Sequence, residues 1–184
     1  MDRELVIRAR EGDHDAFARL AAGSIGRLNS IARLILSDYA RAEDAVQDAF
    51  IDAWRDLRAL RDPDRFDAWL NRLLVRACQN ARRLDRRRGL VELPLTADGP
   101  AYEDLQASVA NADELERGLR RLTIDQRTVL VLSFYLDLPL ADAAATLGIP
   151  LGTMKSRLSR AIDALRAAVD ADTRRPAQRA ERLA

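Results

Sequence analysis

Three stretches of the 184-residue chain concentrate charge in a way that could act on a partner, and none has the composition of a bond-making site. From Leu151 to Arg166, the cations Lys155, Arg157, Arg160 and Arg166 face a single acid, Asp163. Residues 72–88 hold seven arginines (Arg72, Arg76, Arg82, Arg83, Arg86, Arg87 and Arg88) against Asp85 alone. The segment Ala42–Leu57 sets Asp44, Gln47, Asp48, Ile51, Asp52 and Arg55 outside its apolar stripe. Cations spaced along a helix grip phosphate and, where arginine reaches a base edge, read guanine bidentately. Exposed carboxylates around one apolar residue suit docking on a basic protein surface. With one histidine, one cysteine and no carboxylates at metal-ligand spacing, the chain is expected to be no enzyme and to need neither metal nor cofactor.

The first of these stretches has the strongest positional logic. A short helix is predicted from Leu140 to Leu147, with Ala144 small enough for a second helix to cross closely. Gly148 follows as the turn residue that can take positive φ, and Pro150 suits the first position of a new helix. In that helix Leu151, Met154, Leu158, Ala161, Ile162 and Leu165 are predicted inward, leaving Gly152, Thr153, Lys155, Ser156, Arg157, Ser159 and Arg160 outside. Small, polar and cationic residues on the early turns are what a recognition helix needs in a major groove about 12 Å wide. A plain αα-hairpin with a solvated basic face would carry the same charges. Gly148, Pro150 and the small inner residue together favour a helix-turn-helix.

The elements that must position these faces are helical nearly throughout. A first helix spans about Glu4 to Arg10, and Asp13 or Asp15 caps a second carrying Phe17 and Leu20. A separate longer helix is predicted to carry Leu28, Ile31, Ala32, Ile35 and Leu36. In Ala42–Leu57 the residues Ala42, Ala45, Val46, Ala49, Phe50, Ala53, Trp54 and Leu57 form one buried stripe. Asp62-Pro63-Asp64 punctuates a loop, and a helix from Phe66 to Arg87 buries Phe66, Trp69, Leu70, Leu73, Leu74 and Ala77. On the outside of that helix Gln79 and Asn80 could hydrogen-bond base edges, and the polar loop Leu60–Arg65 could hold an unstacked base. Residues 89–112, broken by Gly89, Pro94, Gly99 and Pro100, read as a linker, and Thr123 is placed to cap a later helix. The chain is therefore expected to be all-α, with small helical domains at 1–88 and 113–170, a linker at 89–112 and a polar, frayed tail at 171–184.

Bulk composition agrees. The chain is 48% hydrophobic and 32% charged but only 5% aromatic, which fits charge-rich helical modules and disfavours a β-sandwich or barrel. A net charge of +1 hides blocks of opposite sign, since residues 1–57 carry eleven acids against eight bases. One cysteine, Cys78, excludes an internal disulfide, and neither it nor His14 is assigned a chemical role. The charged start MDRELVIRAREGDHDAF has no apolar run, so neither signal peptide nor membrane insertion is expected and the protein is expected in the cytoplasm.

Four motifs in this order resemble the extracytoplasmic-function (ECF) sigma factors of the sigma-70 family. Ala42–Trp54 (AEDAVQDAFIDAW) is similar to the AEDLVQETF-type helix that docks on the polymerase β′ clamp helices. Phe66–Arg72 (FDAWLNR) is similar to the FxxWLxR start of the helix that contacts the −10 element. Gln126–Leu130 (QRTVL) is similar to the QRxVL run that opens the second domain, and Gly152–Ala161 (GTMKSRLSRA) to the GTVKSRLxRA helix that reads the −35 element. The resemblance spans about residues 5–168.

It implies a factor that binds core RNA polymerase, through the β′ clamp helices and the β flap, and directs promoter recognition and transcription initiation. Asp44, Gln47, Asp48, Ile51 and Asp52 would then face polymerase. Arg61, Asp62, Arg72, Arg76, Asn80 and Arg83 would handle the −10 strand, and Thr153, Lys155, Ser156, Arg157 and Arg160 the −35 duplex. An anti-sigma protein is the implied regulator. Two places depart from the family pattern. Leu140–Ala144 (LADAA) stands where relatives often carry Tyr/Ser-x-Glu-Ile-Ala, and the loop Arg61–Arg65 is short and basic. The alternative from the residues alone is a stand-alone helix-turn-helix regulator that binds duplex DNA without polymerase.

Overall fold

The computed structural model describes residues 2–87, 115 and 117–181, with side chains through Leu84 in the first stretch and Ala171 in the last. Those residues are all helix and turn, without a strand, and the chain divides into two compact units at Val91/Glu92. The linker expected at 89–112 lies outside the described residues.

The first unit is built from four helices: α1 (Arg3–Arg10), α2 (His14–Leu36), α3 (Tyr39–Asp56) and α4 (Phe66–Arg87). Side-chain caps set the starts of the first three. Asp2, Asp13 and Asp38 each accept a backbone N–H of the first turn that no earlier carbonyl can take. Of the two candidate caps for α2 it is Asp13 that serves. Its carboxylate also receives Arg8 Nη2 at 2.6 Å, which braces the corner between α1 and α2. The backbone N–H of Ala16 and then the Arg8 side chain hold the Asp13 carboxyl below its ordinary range.

Where the sequence pattern predicted two helices in residues 14–36, there is one. Gly23 and Gly26 cost helix propensity but do not break it, because Ala16, Leu20, Ser24, Leu28, Ile31 and Ile35 form one buried stripe straight through them. Burying a Leu or Ile fully contributes about 1.5–3 kcal/mol, more than the roughly 1 kcal/mol each glycine removes. Ser37, in the left-handed region at φ 52°, ends the helix, and its N–H donates to the Arg33 carbonyl at 2.8 Å.

Alanines dominate the inner face of α3 (Ala42, Ala45, Ala49 and Ala53 are all buried), which lets α2 and α4 pack against it closely. Trp54, expected in this stripe, is instead 36% exposed, because its ring stands at the margin of the helix pair rather than beneath it. α4 buries Phe66, Leu70, Leu73, Leu74 and Ala77 as its spacing predicted, and also Val75 and Cys78. Trp69 is only half-buried.

The second unit holds a helical turn at 117–120, α5 (Ile124–Leu130), α6 (Leu140–Leu147) and α7 (Leu151–Glu181). Thr123 and Gln126 form a reciprocal capping box at the start of α5. Arg127, 95% buried, donates through Nη1 to the Leu122 carbonyl at 2.6 Å, closing the end of the preceding turn. α5 runs into a π-helical turn, Val131–Tyr135, where the Leu136 N–H reaches back to the Val131 carbonyl at 2.9 Å.

α6 ends at Gly148 with φ 64°, and the Ile149 N–H donates to the Ala144 carbonyl at 3.1 Å. Pro150 sits one place earlier than expected, before the first helical residue, with its carbonyl accepting the Met154 N–H at 3.0 Å. α7 continues through Glu181, past Pro176, where a frayed tail was predicted. Among the described residues no helix is long and apolar enough to cross a membrane.

Candidate nucleic-acid interface

On the second unit, Met154 and Ala161 are fully buried and fix the inner edge of α7. Leu158, Ile162 and Leu165 are half-buried, whereas Leu151, predicted inward, is 42% exposed. Leu151 therefore stands at the edge of the core, and α7 is seated from Met154 onward. On the outer face Gly152, Lys155, Ser156, Ser159 and Arg160 are exposed, and Thr153 and Arg157 half-buried. Arg160 folds over the preceding turn, its Nε donating to the Ser156 carbonyl at 3.1 Å, while Ser156 Oγ donates to the Thr153 carbonyl at 3.0 Å. No acid lies among these outward residues from Gly152 to Arg160, so the early turns form a one-signed cationic ridge.

The middle of α7 is anchored by Arg121, whose Nη1 donates to the Ala168 carbonyl at 3.1 Å. Gly118 lies so close that an added Cβ would meet Val169 Cγ2 at 3.0 Å and Leu165 Cδ1 at 3.1 Å. The ridge is thus held on a stiff rod seated at both ends of its core contact.

On the first unit, Arg76, Asn80 and Arg83 are exposed along α4, with Arg72 and Gln79 half-buried. The side chains of Arg86, Arg87 and Arg88 lie outside the described residues. In the loop before α4, Arg61 is exposed, but Asp62 is engaged: its Oδ1 accepts the Asp64 N–H at 3.0 Å and its Oδ2 pairs with Arg65 at 3.6 Å. Asp64 is tied in turn to Arg3 of α1 at 3.4 Å. Of the polar groups in this loop, Arg61 is the one presented outward with no such tie among the bonds described here.

The acidic face is carried by α3, where Asp44, Gln47 and Asp48 are exposed and Ile51 is 48% exposed. Asp52, half-buried, accepts Arg55 Nη1 at 2.9 Å, so its charge is partly spent within the helix. Beside this face α2 and α3 enclose a shallow groove of about 550 Å³ lined by Phe17, Ile25, Val46, Phe50, Ile51 and Trp54, with Asn29, Glu43 and Gln47 at its polar margin.

The sequence pattern missed this groove by assigning Phe50 and Trp54 wholly to the core. The available signal was that Phe50, Ile51 and Trp54 make the apolar arc of α3 wider than one buried stripe needs. His14 lies against Trp54 with ring centroids 4.5 Å apart and planes tilted by 32°, and Phe17 meets Trp54 at 5.0 Å with planes inclined at 60°. Phe134 and Tyr135, 66% and 49% exposed on the π-turn of the second unit, also went unpredicted. Cys78 is fully buried, and burial pushes its thiol pKa up to about 12.

Two family matches cover these same regions: residues 24–88 match Sigma-70 region 2, and residues 112–165 match Sigma-70, region 4. The ECF RNA polymerase sigma factor SigM of Mycobacterium tuberculosis (strain H37Rv) is 35% identical over 160 residues, covering 87% of this chain and 80% of its own length. The RNA polymerase sigma factor CnrH of Cupriavidus metallidurans is 32% identical, covering 94% of this chain and 96% of its own. Among solved structures, CnrH in complex with the cytosolic domain of CnrY is similar with a TM-score of 0.59 and 29% identity, covering 93% of this chain and 98% of that one. The sigma factor RpoE in complex with the anti-sigma factor NepR from Bartonella quintana has a TM-score of 0.66 and 26% identity, covering 85% of this chain and 98% of that one.

Proposed function

The chain belongs to the ECF sigma factors of the sigma-70 family, and from that premise we propose how its charged surfaces divide the work of initiation. As an RNA polymerase sigma factor it directs promoter recognition and the start of transcription. The cationic ridge of α7 enters the major groove of the −35 element, with Arg157 and Arg160 reading base edges and Thr153, Lys155 and Ser156 gripping the backbone. α4 and the loop before it take the −10 strand: Arg72, Arg76 and Arg83 neutralise phosphates and Asn80 and Arg61 face unstacked bases, while Asp62, tied to Asp64 and Arg65, holds the loop in shape beside them. Capture of those bases favours the melted form, because a ligand that binds one state shifts the equilibrium toward it.

Asp44, Gln47, Asp48, Ile51 and Asp52, with the apolar groove beside them, dock on the β′ clamp helices of core polymerase. The exposed Phe134–Tyr135 pair offers the β flap an apolar contact on the second unit. The protein catalyses nothing itself and takes no metal or cofactor; the chemistry belongs to polymerase. Its place of action is the cytoplasm. By analogy with the similar sigma factors solved with CnrY and NepR, an anti-sigma protein is its regulator.

The observation that carries this assignment is the α7 ridge, one-signed from Gly152 to Arg160 and set just after the left-handed turn that Gly148 makes at φ 64°. Run-off transcription on a genomic promoter library with purified core polymerase tests it. Specific transcripts should appear only when the chain is added, and specific duplex binding by the chain alone with no polymerase-dependent transcript would refute it.

A further inference from the structure

α4 is seated on the rest of the first unit chiefly by Phe66, Leu70, Leu73, Leu74 and Ala77, an apolar stripe. Apolar contact is non-directional, so it holds a helix down without strictly fixing its rotation about its own axis. A two-point polar contact supplies that direction. Arg27, midway along α2, donates through Nη2 to Asp67 Oδ1 at 2.6 Å and through Nη1 to Asn71 Oδ1.

Asp67 and Asn71 are one turn apart on the same face of α4, so a single planar guanidinium spans two successive turns. Because arginine can only donate, the Asn71 amide must present its oxygen to it, which fixes that side chain as well. At 100° per residue, Arg72, Arg83, Arg76 and Asn80 lie roughly 100–180° around the helix from Asn71. The clamp therefore grips one flank of α4 while the groups assigned to the −10 strand point from another. Asp67 is the second residue of α4, two places after the loop Leu60–Arg65, so the same contact anchors the helix start into which that loop runs.

We infer that Arg27 is a positioning residue for capture of the −10 strand, setting the rotation of α4 and the seat of its leading loop without touching DNA. This rests on the assignment of α4 to the −10 element. The motif similarity ran through Asp67 and Asn71 but gave no reason for their being polar; the contact with Arg27 supplies one.

The test uses holoenzyme assembled from the full chain and core polymerase, on a promoter that the wild type transcribes. Its readouts are affinity for a fluorescent single-stranded oligonucleotide carrying the non-template −10 segment, affinity for the −35 duplex, and the thermal midpoint of the free chain. Arg27→Gln should weaken single-strand binding about fivefold with −35 duplex binding unchanged. The charge-swapped double variant Arg27→Asp, Asp67→Arg should recover most of that loss.

Arg76→Ala is the control for α4 itself. If Arg76→Ala loses single-strand binding and Arg27→Gln does not, the positioning role is wrong and the assignment of α4 stands. If neither variant loses it, the assignment of α4 fails and takes the positioning role with it. If Arg27→Gln lowers both affinities together with the thermal midpoint and the swap restores nothing, the contact is merely structural and the inference is overturned.

Discussion

Arg160 in the free protein lies over its own helix, its Nε donating to the Ser156 carbonyl at 3.1 Å in an exposed local bond and its Nη2 to Ser156 Oγ at 3.4 Å. Exchanging that exposed local bond for a bidentate contact with a guanine edge costs little, since the donor was solvated beforehand. Arg160→Ala should therefore weaken −35 binding by about 1–3 kcal/mol and relax base preference at one position, measured by competition against single-base variants of the site. Equal preference in wild type and variant would remove Arg160 from the readout. Cys78 makes a separate case. Burial closes its thiol to reagents and pushes its pKa up to about 12, which withholds the thiolate even at alkaline pH, so alkylating reagents should leave it untouched in the native protein and modify it fully in denaturant. Fast native labelling would show that the α4 core opens readily.

At the scale of elements, the helix-turn-helix was readable because its constraints are local. Gly148 needs only its own φ, Pro150 only its missing N–H, and Ala144 only the width of the crossing. The Thr123 cap was readable for the same reason. α2 was not, because its continuity through Gly23 and Gly26 depends on what the stripe from Ala16 to Ile35 packs against, and packing is absent from one-dimensional spacing. The groove beside α3 was hidden likewise: periodicity shows that Phe50 and Trp54 are apolar without showing which of them α2 leaves at the margin.

Arg127 is the opposite kind of miss. It stood in a recognised motif, yet burial with its guanidinium on the Leu122 carbonyl makes it a structural bolt. Close packing against the middle of α7 yields a prediction of the same scale. Gly118→Ala puts a methyl 3.0 Å from Val169 Cγ2 and 3.1 Å from Leu165 Cδ1, and should destabilise the second unit by about 1–3 kcal/mol in denaturant melts. An unchanged midpoint would mean that α7 shifts freely on its seat.

Across the whole molecule, a net charge of +1 is the sum of blocks with opposite work to do. Residues 1–57 carry the acidic surface, and the cations of α4 and α7 are assigned to nucleic acid. Two promoter elements about 16–20 base pairs apart lie roughly 55–70 Å from one another at ~3.4 Å per pair. About 24 residues between the two basic units reach roughly 80–85 Å when fully extended at ~3.3–3.6 Å each, enough to span both elements. A chain so divided gains little by binding DNA alone. In the proposed division of work, its two basic units act together once the acidic surface is seated on polymerase, which would raise their effective concentration at one promoter.

That dependence makes Asp48 the place to strike, since it is exposed on α3 and far in function from either DNA surface. The direct measurement is co-purification of core polymerase with full-length Asp48→Arg, paired with its affinity for a −35 duplex in the absence of polymerase. Polymerase binding about tenfold weaker or worse, with duplex affinity intact, is the predicted result. Undiminished capture of core polymerase would contradict the account.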